Sequence, residues 1–415
     1  MPVRFIHTAD LHLGKTYRNS SGETERYEDF FRCLSGIVAD ALREQVDCLL
    51  IGGDLFHVGQ ILPRTFARTI DTLAPLKDAG IPCIAVEGNH DWIHRRDNLS
   101  WMEALAQMGY LRLLRPTRLE DGGYRFDPWD PQSGLGGWTQ VGDLHIYGVG
   151  YIGAQAGQHV ERICRAVTSD HNLLLFHVGI WTFSPVEIGN MKPEEALPLA
   201  ERFGYVALGH GHKPYVVNSP AGRPYAYNPG SPERVNFGEE AYPKGYYLVT
   251  AQPGSFAAEF RPTDPRPMLV TSIPLDGAEN AEAALARTLE QVGEHLTGPL
   301  QRRPLLELKL TGRVRFHPFE LGRERLRLAL EGRWQPLHVE IKNQLSLVTG
   351  SGGGETVKKS LGEIEAEVLR ELIGSGSDFQ GREEELLRLS LALRDAVQKG
   401  MSDGDELLAL LDGEG

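Results

Sequence analysis

A chain of 415 residues, 41% hydrophobic and 24% charged, is long for one domain and ordinary for a globular protein, which excludes a disordered or low-complexity polymer. No run of about 20 apolar residues occurs, so no spanning helix is expected, and Cys33, Cys48, Cys83 and Cys164 stand singly without CxxC spacing, as reduced core thiols do. The net charge of −13 argues against a uniformly basic nucleic-acid binder, but residues 355–415 alone hold 15 acidic and 7 basic side chains, so the body before them is nearer neutral.

The first apolar run, Phe5 and Ile6, leads into Thr8-Ala9-Asp10-Leu11-His12. It comes too early for a basic segment and an apolar signal core to precede it, so a cytoplasmic protein is expected. In residues 25–44, Tyr27, Phe30, Phe31, Leu34, Val38, Ala41 and Leu42 recur at threes and fours, the pattern of an amphipathic helix. The chain is organised around the next stretch. Residues 48–51 have the length of a buried strand, and the run stops at Gly52-Gly53-Asp54, presenting a carboxylate where α/β sheets keep their chemistry. A helix with Pro63 near its start turns Phe66, Ile70 and Leu73 inward and ends towards Gly80.

Three more runs end on similar tips. Residues 81–86 lead into Glu87-Gly88-Asn89-His90-Asp91, residues 173–176 into His177, and residues 206–208 into Gly209-His210-Gly211-His212. Between them a helix is expected over residues 98–108, while residues 110–142, rich in Gly, Pro and Asp, predict only loops and short hairpins. Short runs at 215–218, 224–227, 246–250 and 256–260 read as one sheet finishing an α/β domain with helices outside.

Together the tips offer two Asp, one Asn and four or five His, a mixed oxygen and nitrogen set that suits hard or borderline divalent ions. Asp54, short and central, is the natural bridge between two ions.

The order of these elements, in the wording HTADLHLGK, GGDLFH, VEGNHD and GHGHKP with YNPGSPERVNFGEE beyond, resembles the calcineurin-like metallophosphoesterases, and within them the SbcD-type DNA double-strand-break repair nucleases. That resemblance covers residues 1–260 strongly and weakens to about 345. It implies a two-sheet sandwich flanked by helices over 1–262, a small α+β cap over 267–345, a Gly-rich linker at 349–355 and a helical partner-binding tail over 356–412. It further implies two divalent metal ions, manganese by family habit, although the ligand chemistry also permits iron, magnesium or zinc. Asp10, His12, Asp54 and His212 would hold one ion, and Asp54, Asn89, His177 and His210 the other. His90 becomes the general acid, His57 its partner, and Asp91 the residue that orients it. Arg95 and Arg96 would grip backbone phosphate of DNA without reading bases.

Beyond Pro262, a βαβαβ pattern fits the cap and carries Arg313, Arg315, Arg323, Arg325, Arg327 and Arg333, read either as a solvated face or as a DNA contact. After the linker, Val357, Leu361, Ile364, Val368 and Leu372 form an apolar stripe suited to docking on a partner, in this family the coiled-coil ATPase SbcC. A homodimer is left open. The activity expected is a metal-dependent 3′-5′ exonuclease and endonuclease. A phosphoesterase for small nucleotides or phosphoproteins, and a scaffold without chemistry, are the other classes; the filled ligand positions speak against the scaffold.

Overall fold

The computed structural model describes residues 2–17, 22–92, 99–183, 189–296, 301–348, 369 and 386–392. Residues 1–348 form one compact unit and residues 349–415 another. In the second, residues 386–392 are helical and Leu387 is buried; the predicted stripe and the linker lie outside the described residues.

Two sheets face each other in the first unit. One has β1 (Val3–Thr8), β2 (Cys48–Ile51), β3 (Cys83–Ala85) and β4 (Arg112–Leu114) side by side and parallel. Gly245–Gln252 joins it antiparallel to β1, with Ser255–Pro262 beyond, and Leu135–Gly136 closes the far edge. The other sheet is built on the parallel strands Leu144–Val149, Asn172–Phe176, Tyr205–Leu208 and Pro224–Asn228. Alternate side chains of each strand go to different cores, which explains why the strands read as continuous apolar runs. From β1 and β2, Phe5, Cys48 and Leu50 enter the layer between the sheets, whereas Ile6, Leu49 and Ile51 meet the helices outside. Those helices are α1 (Glu23–Arg43) and α2 (Pro63–Asp78), with Trp101–Gln107 beside them, and Val160–Ala166 and Pro193–Arg202 cover the opposite outer face. The two-sheet sandwich flanked by helices is therefore the fold expected.

Two expectations need correcting. Residues 110–142 hold the loops and a short hairpin expected, Thr117–Arg118 against Tyr124–Arg125, but they also supply β4, Leu135–Gly136 and Trp138–Val141, all members of the main sheets. The four short strands from 215 to 260 do not make one sheet: Tyr215–Asn218 and Pro224–Asn228 extend the second, and Gly245–Gln252 and Ser255–Pro262 the first. Short strands carry no mark of their neighbour, and only the pairing beside β1 or Tyr205–Leu208 assigns them.

Beyond Pro262, Met268–Pro274, Leu305–Val314 and His338–Leu347 form a three-stranded parallel sheet with the helices Ala281–His295 and Arg323–Trp334 around its own apolar core. It sits firmly on the sandwich. Arg266 binds Asp29 of α1 with two nitrogens, the second at 2.9 Å, and buried Arg26 binds Asp29 at 3.0 Å and Glu233 at 3.3 Å. The ring of Tyr17 stacks on His338 at 4.3 Å. Of the cap arginines, Arg325 pairs with Glu282, and Arg327 with Glu324 and Glu331, so both are engaged within the cap itself.

Candidate metal centre

Because the strands are parallel, their carboxyl ends share one edge of the molecule, and the five tips meet there. The backbone is bent hard to bring them together. Asp10 (φ 53°), His12 (46°), Asp54 (51°) and His210 (78°) all occupy the left-handed region, which costs about 1–3 kcal/mol for each residue with a Cβ. Cross-loop hydrogen bonds sustain that strain: Asp10 N–H donates to Gly53 O (3.0 Å), His12 N–H to Asp54 O (3.0 Å), and His210 N–H to Asp10 Oδ1 (3.0 Å). Gly88 lets the β3 loop pass, because a Cβ there would lie 2.0 Å from Asp54 Oδ1.

Two clusters result, each with donor atoms within 4.8 Å of one another: Asp10, His12 and His212, then Asp54, His177 and His210. His12 Nε2 lies 3.0 Å from His212 Nε2, and Asn89 Oδ1 lies 2.9 Å from His210 Nδ1 and 3.2 Å from His177 Nε2. Asp54 Oδ2 is 3.9 Å from His12 Nε2 and 3.6 Å from His177 Nε2, so it stands between the clusters. Asp10 Oδ2 is buried and meets no hydrogen-bond partner among the described residues. Burial pushes the Asp10 carboxyl up to about 6, against the pull of His212 and His177. For His12, burial and then the neighbouring histidines hold the ring neutral. A bare carboxylate oxygen, imidazole nitrogens and a carboxamide oxygen converging in one buried space fit a pair of divalent cations.

His212 is steered from behind by a residue the sequence reading passed over. Its Nδ1 lies 2.7 Å from Glu239 Oε1, and Glu239 also receives Lys244 Nζ at 2.6 Å and Val235 N–H at 3.0 Å. Burial alone would raise the Glu239 carboxyl, yet the bonds from His212 and Lys244 draw it down to about 2. For His212, burial opposes protonation, but Glu239 and Asp10 outweigh it and raise its pKa. Glu239 lies inside the 227–240 stretch that carries the family resemblance. An acid three residues after Asn236 looks like a capping residue in sequence, and only folding brings it to His212.

His90 donates its backbone N–H to Asp54 Oδ1 (2.9 Å) and its ring Nδ1–H to the carbonyl of His57 (2.7 Å). A carbonyl can only accept, so Nδ1 carries the proton and Nε2 is the nitrogen left for other partners. The His57 ring stacks on His90 at 5.5 Å, and His12, His57 and His90 bring their ring nitrogens into a third close set. Burial first, then Lys15, lowers the His57 pKa to about 4.

Asp91 does not orient His90 as expected. Its carboxylate accepts from the backbone N–H groups of Phe56 (2.9 Å), Leu55 (3.2 Å) and Gly88 (2.9 Å), clamping the β2 loop to the β3 loop. The strained turns leave those amides inside the protein without strand partners, and a buried carboxylate is what satisfies them. Arg95 and Arg96 lie outside the described residues.

The chain can now be set beside known proteins. It is similar to the DNA double-strand break repair protein Mre11 of Haloferax volcanii, 28% identical over 289 residues, covering 69% of this chain and 58% of that protein. The Mre11 protein of Saccharolobus solfataricus is 27% identical over 253 residues, covering 60% of each. The chain thus spans somewhat over half the length of the curated relatives it matches. Among solved structures, a dimetal phosphatase from Danio rerio aligns with 63% of this chain and 97% of its own at 13% identity, with a TM-score of 0.40. The family signature of the calcineurin-like phosphoesterases matches residues 3–214, the stretch that supplies all five strand tips. A match over just more than half of the chain leaves no ambiguity about kinship: the protein belongs to the calcineurin-like phosphoesterase family.

Proposed function

We propose that the protein is a metal-dependent DNA nuclease of double-strand-break repair, a 3′-5′ exonuclease and endonuclease working in the cytoplasm. The observation that carries the reading is Asp54, set between two ligand clusters and bonded to the backbone of His90. Asp10, His12, Asp54 and His212 would hold one ion, and Asp54, Asn89, His177 and His210 the other, with manganese the preferred metal. When bound, the pair supplies Lewis acidity and a template for in-line displacement at phosphorus.

The chain's own groups do the rest. Asn89 brings an oxygen to the second cluster without a third carboxylate, whose charge would oppose a phosphodiester. The His90 ring, held by the His57 carbonyl, keeps Nε2 for the leaving 3′-oxygen and supplies its proton from the imidazolium form. Glu239 and Lys244 fix the angle of His212. DNA as substrate rests on the Mre11 relatives and on the cap beyond residue 262, which a small-substrate phosphoesterase has no evident use for. The C-terminal unit is assigned to an SbcC-like coiled-coil ATPase, through the stripe Val357, Leu361, Ile364, Val368 and Leu372.

The test is cleavage of a 3′-labelled duplex with manganese, with magnesium and with EDTA. Manganese-dependent release of label is expected. A protein that binds two ions and hydrolyses small phosphodiesters but leaves every DNA strand intact would overturn the nuclease reading in favour of a small-substrate phosphoesterase.

A further inference from the structure

We propose that Trp92 and Tyr151 form a stacking platform for an unpaired terminal base of the strand being cleaved. The inference rests on the nuclease reading and adds how the strand end is received. Trp92 follows His90 by two residues, and 59% of it is exposed, a large apolar surface to leave in water beside a buried polar centre. Its ring meets that of Tyr151 edge-to-face at 6.1 Å, and Tyr151 in turn lies 5.5 Å from the His210 ring and 6.1 Å from the His177 ring. Aromatic surface therefore runs without a break from the second ligand cluster out to solvent.

The backbone is shaped to keep it there. Tyr151 N–H donates to Glu87 O at 2.8 Å, tying the ring's strand end to the β3 loop. Gly189, with φ 88°, leaves the space the ring uses: a Cβ there would fall 2.5 Å from Tyr151 Cε2 and 2.8 Å from His210 Nε2. On the other side Gly59 passes beneath Trp92, where a Cβ would lie 2.5 Å from the Trp92 carbonyl oxygen, and its neighbour Val58 is 51% exposed.

Rings in this arrangement offer π-faces and apolar edges, which suit a nucleobase and not a phosphate, and they accept any base because every base has a face to stack. A phosphodiester on the metal centre must carry a nucleoside on each side, and at a duplex end one of those bases has to leave its partner before the backbone can enter a pocket. Stacking on Trp92 and Tyr151 replaces part of the stacking lost from the duplex.

The test places 2-aminopurine at either end of one strand of a short duplex and titrates it with full-length protein in EDTA, so that nothing is cleaved. Wild-type protein should change the emission of one terminal label and bind a frayed end better than a paired one. Trp92→Ala and Tyr151→Ala should lose most of that signal and bind the frayed end roughly tenfold more weakly, while Trp92→Phe retains most of it. With manganese, the rate on frayed-end DNA divided by the rate on bis(p-nitrophenyl) phosphate, which has no base, should fall about tenfold in Trp92→Ala. Equal affinity and emission in wild type and Trp92→Ala would overturn the platform, as would a parallel fall in both rates, which would make Trp92 a mere support of the metal centre. Failure of the nuclease reading looks different: wild type would then hydrolyse the small diester and cleave no DNA.

Discussion

At the scale of single residues, the centre divides into groups that would hold ions and groups that would move protons, and the two can be separated. Asp54 sets one oxygen within 4 Å of a histidine nitrogen of each cluster, so Asp54→Ala is expected to abolish binding of both ions. Asp10→Ala and His177→Ala should each weaken mainly one. Metal analysis of the three purified variants checks this, and full retention of one ion by Asp54→Ala would refute the shared position. His90 touches Asp54 only through its backbone N–H, which any side chain at position 90 keeps. His90→Gln should therefore retain metal and DNA binding while turnover falls by about 10²- to 10⁴-fold. Metal content falling in step with the rate would instead make His90 a ligand.

At the scale of elements, the sheet edge is held by polar groups buried among apolar strands, and one of them makes stability depend on pH. His7 of β1 is fully buried, with Nδ1 3.0 Å from the Tyr205 hydroxyl and Nε2 2.9 Å from Leu208 O. Burial lowers its pKa to about 3, although the carbonyl of Leu208 acts the other way. The unfolded chain takes up a proton on this ring near pH 6.5, and the native state refuses it until much lower. The stability His7 gives is thus complete above pH 6.5 and is lost as pH falls towards 3, at up to about 1.4 kcal/mol per pH unit. His7→Gln is expected to fall less steeply between pH 6.5 and 4.5 in urea unfolding curves. Parallel slopes for the variant and wild type would show that His7 titrates normally. The same element explains why Asp91 became a clamp: the turns that aim Asp54 and Asn89 expose amides of Leu55, Phe56 and Gly88, which need an acceptor more than His90 needs an orienting group.

At the scale of the molecule, the cap is joined to the sandwich by charges taken out of water. Arg26, Asp29, Glu233 and Arg266 are all buried, and removing one partner leaves the others uncompensated. Arg266→Ala is expected to destabilise the fold by about 3–5 kcal/mol. Arg303, half-exposed and paired with Glu25 at 3.0 Å, should matter by no more than about 1 kcal/mol when replaced by alanine. Chemical denaturation of the two variants decides, and equal effects would mean that burial of the network is not what gives it weight. The acidic tail makes a separate prediction. Ending the chain after Gly350 should keep manganese-dependent cleavage of short DNA and abolish association with the SbcC-like ATPase, read by co-purification. A truncated protein that still binds the ATPase would move the docking surface to the cap or the sandwich.

The sequence by itself determined which polar residue types stand at the strand tips and in what order, because an apolar run two to six residues long that stops at a polar residue is a local pattern. Asp10, His12, Asp54, Asn89, His177, His210 and His212 were legible for that reason. The helix over residues 25–44 was legible too, since its period is written within one segment. What only the tertiary structure decided is whatever depends on a partner distant in sequence. β4 was hidden because three residues in a glycine-rich stretch become a strand only beside β3. The four strands between residues 215 and 262 went to two sheets because pairing, not composition, assigns them. Glu239 and Lys244 reach His212, and Asp91 reaches the β2 loop, across intervals that no periodicity spans. The left-handed backbone at Asp10, His12, Asp54 and His210 likewise has no local signature, since it is imposed by hydrogen bonds between loops that meet only when both sheets have formed.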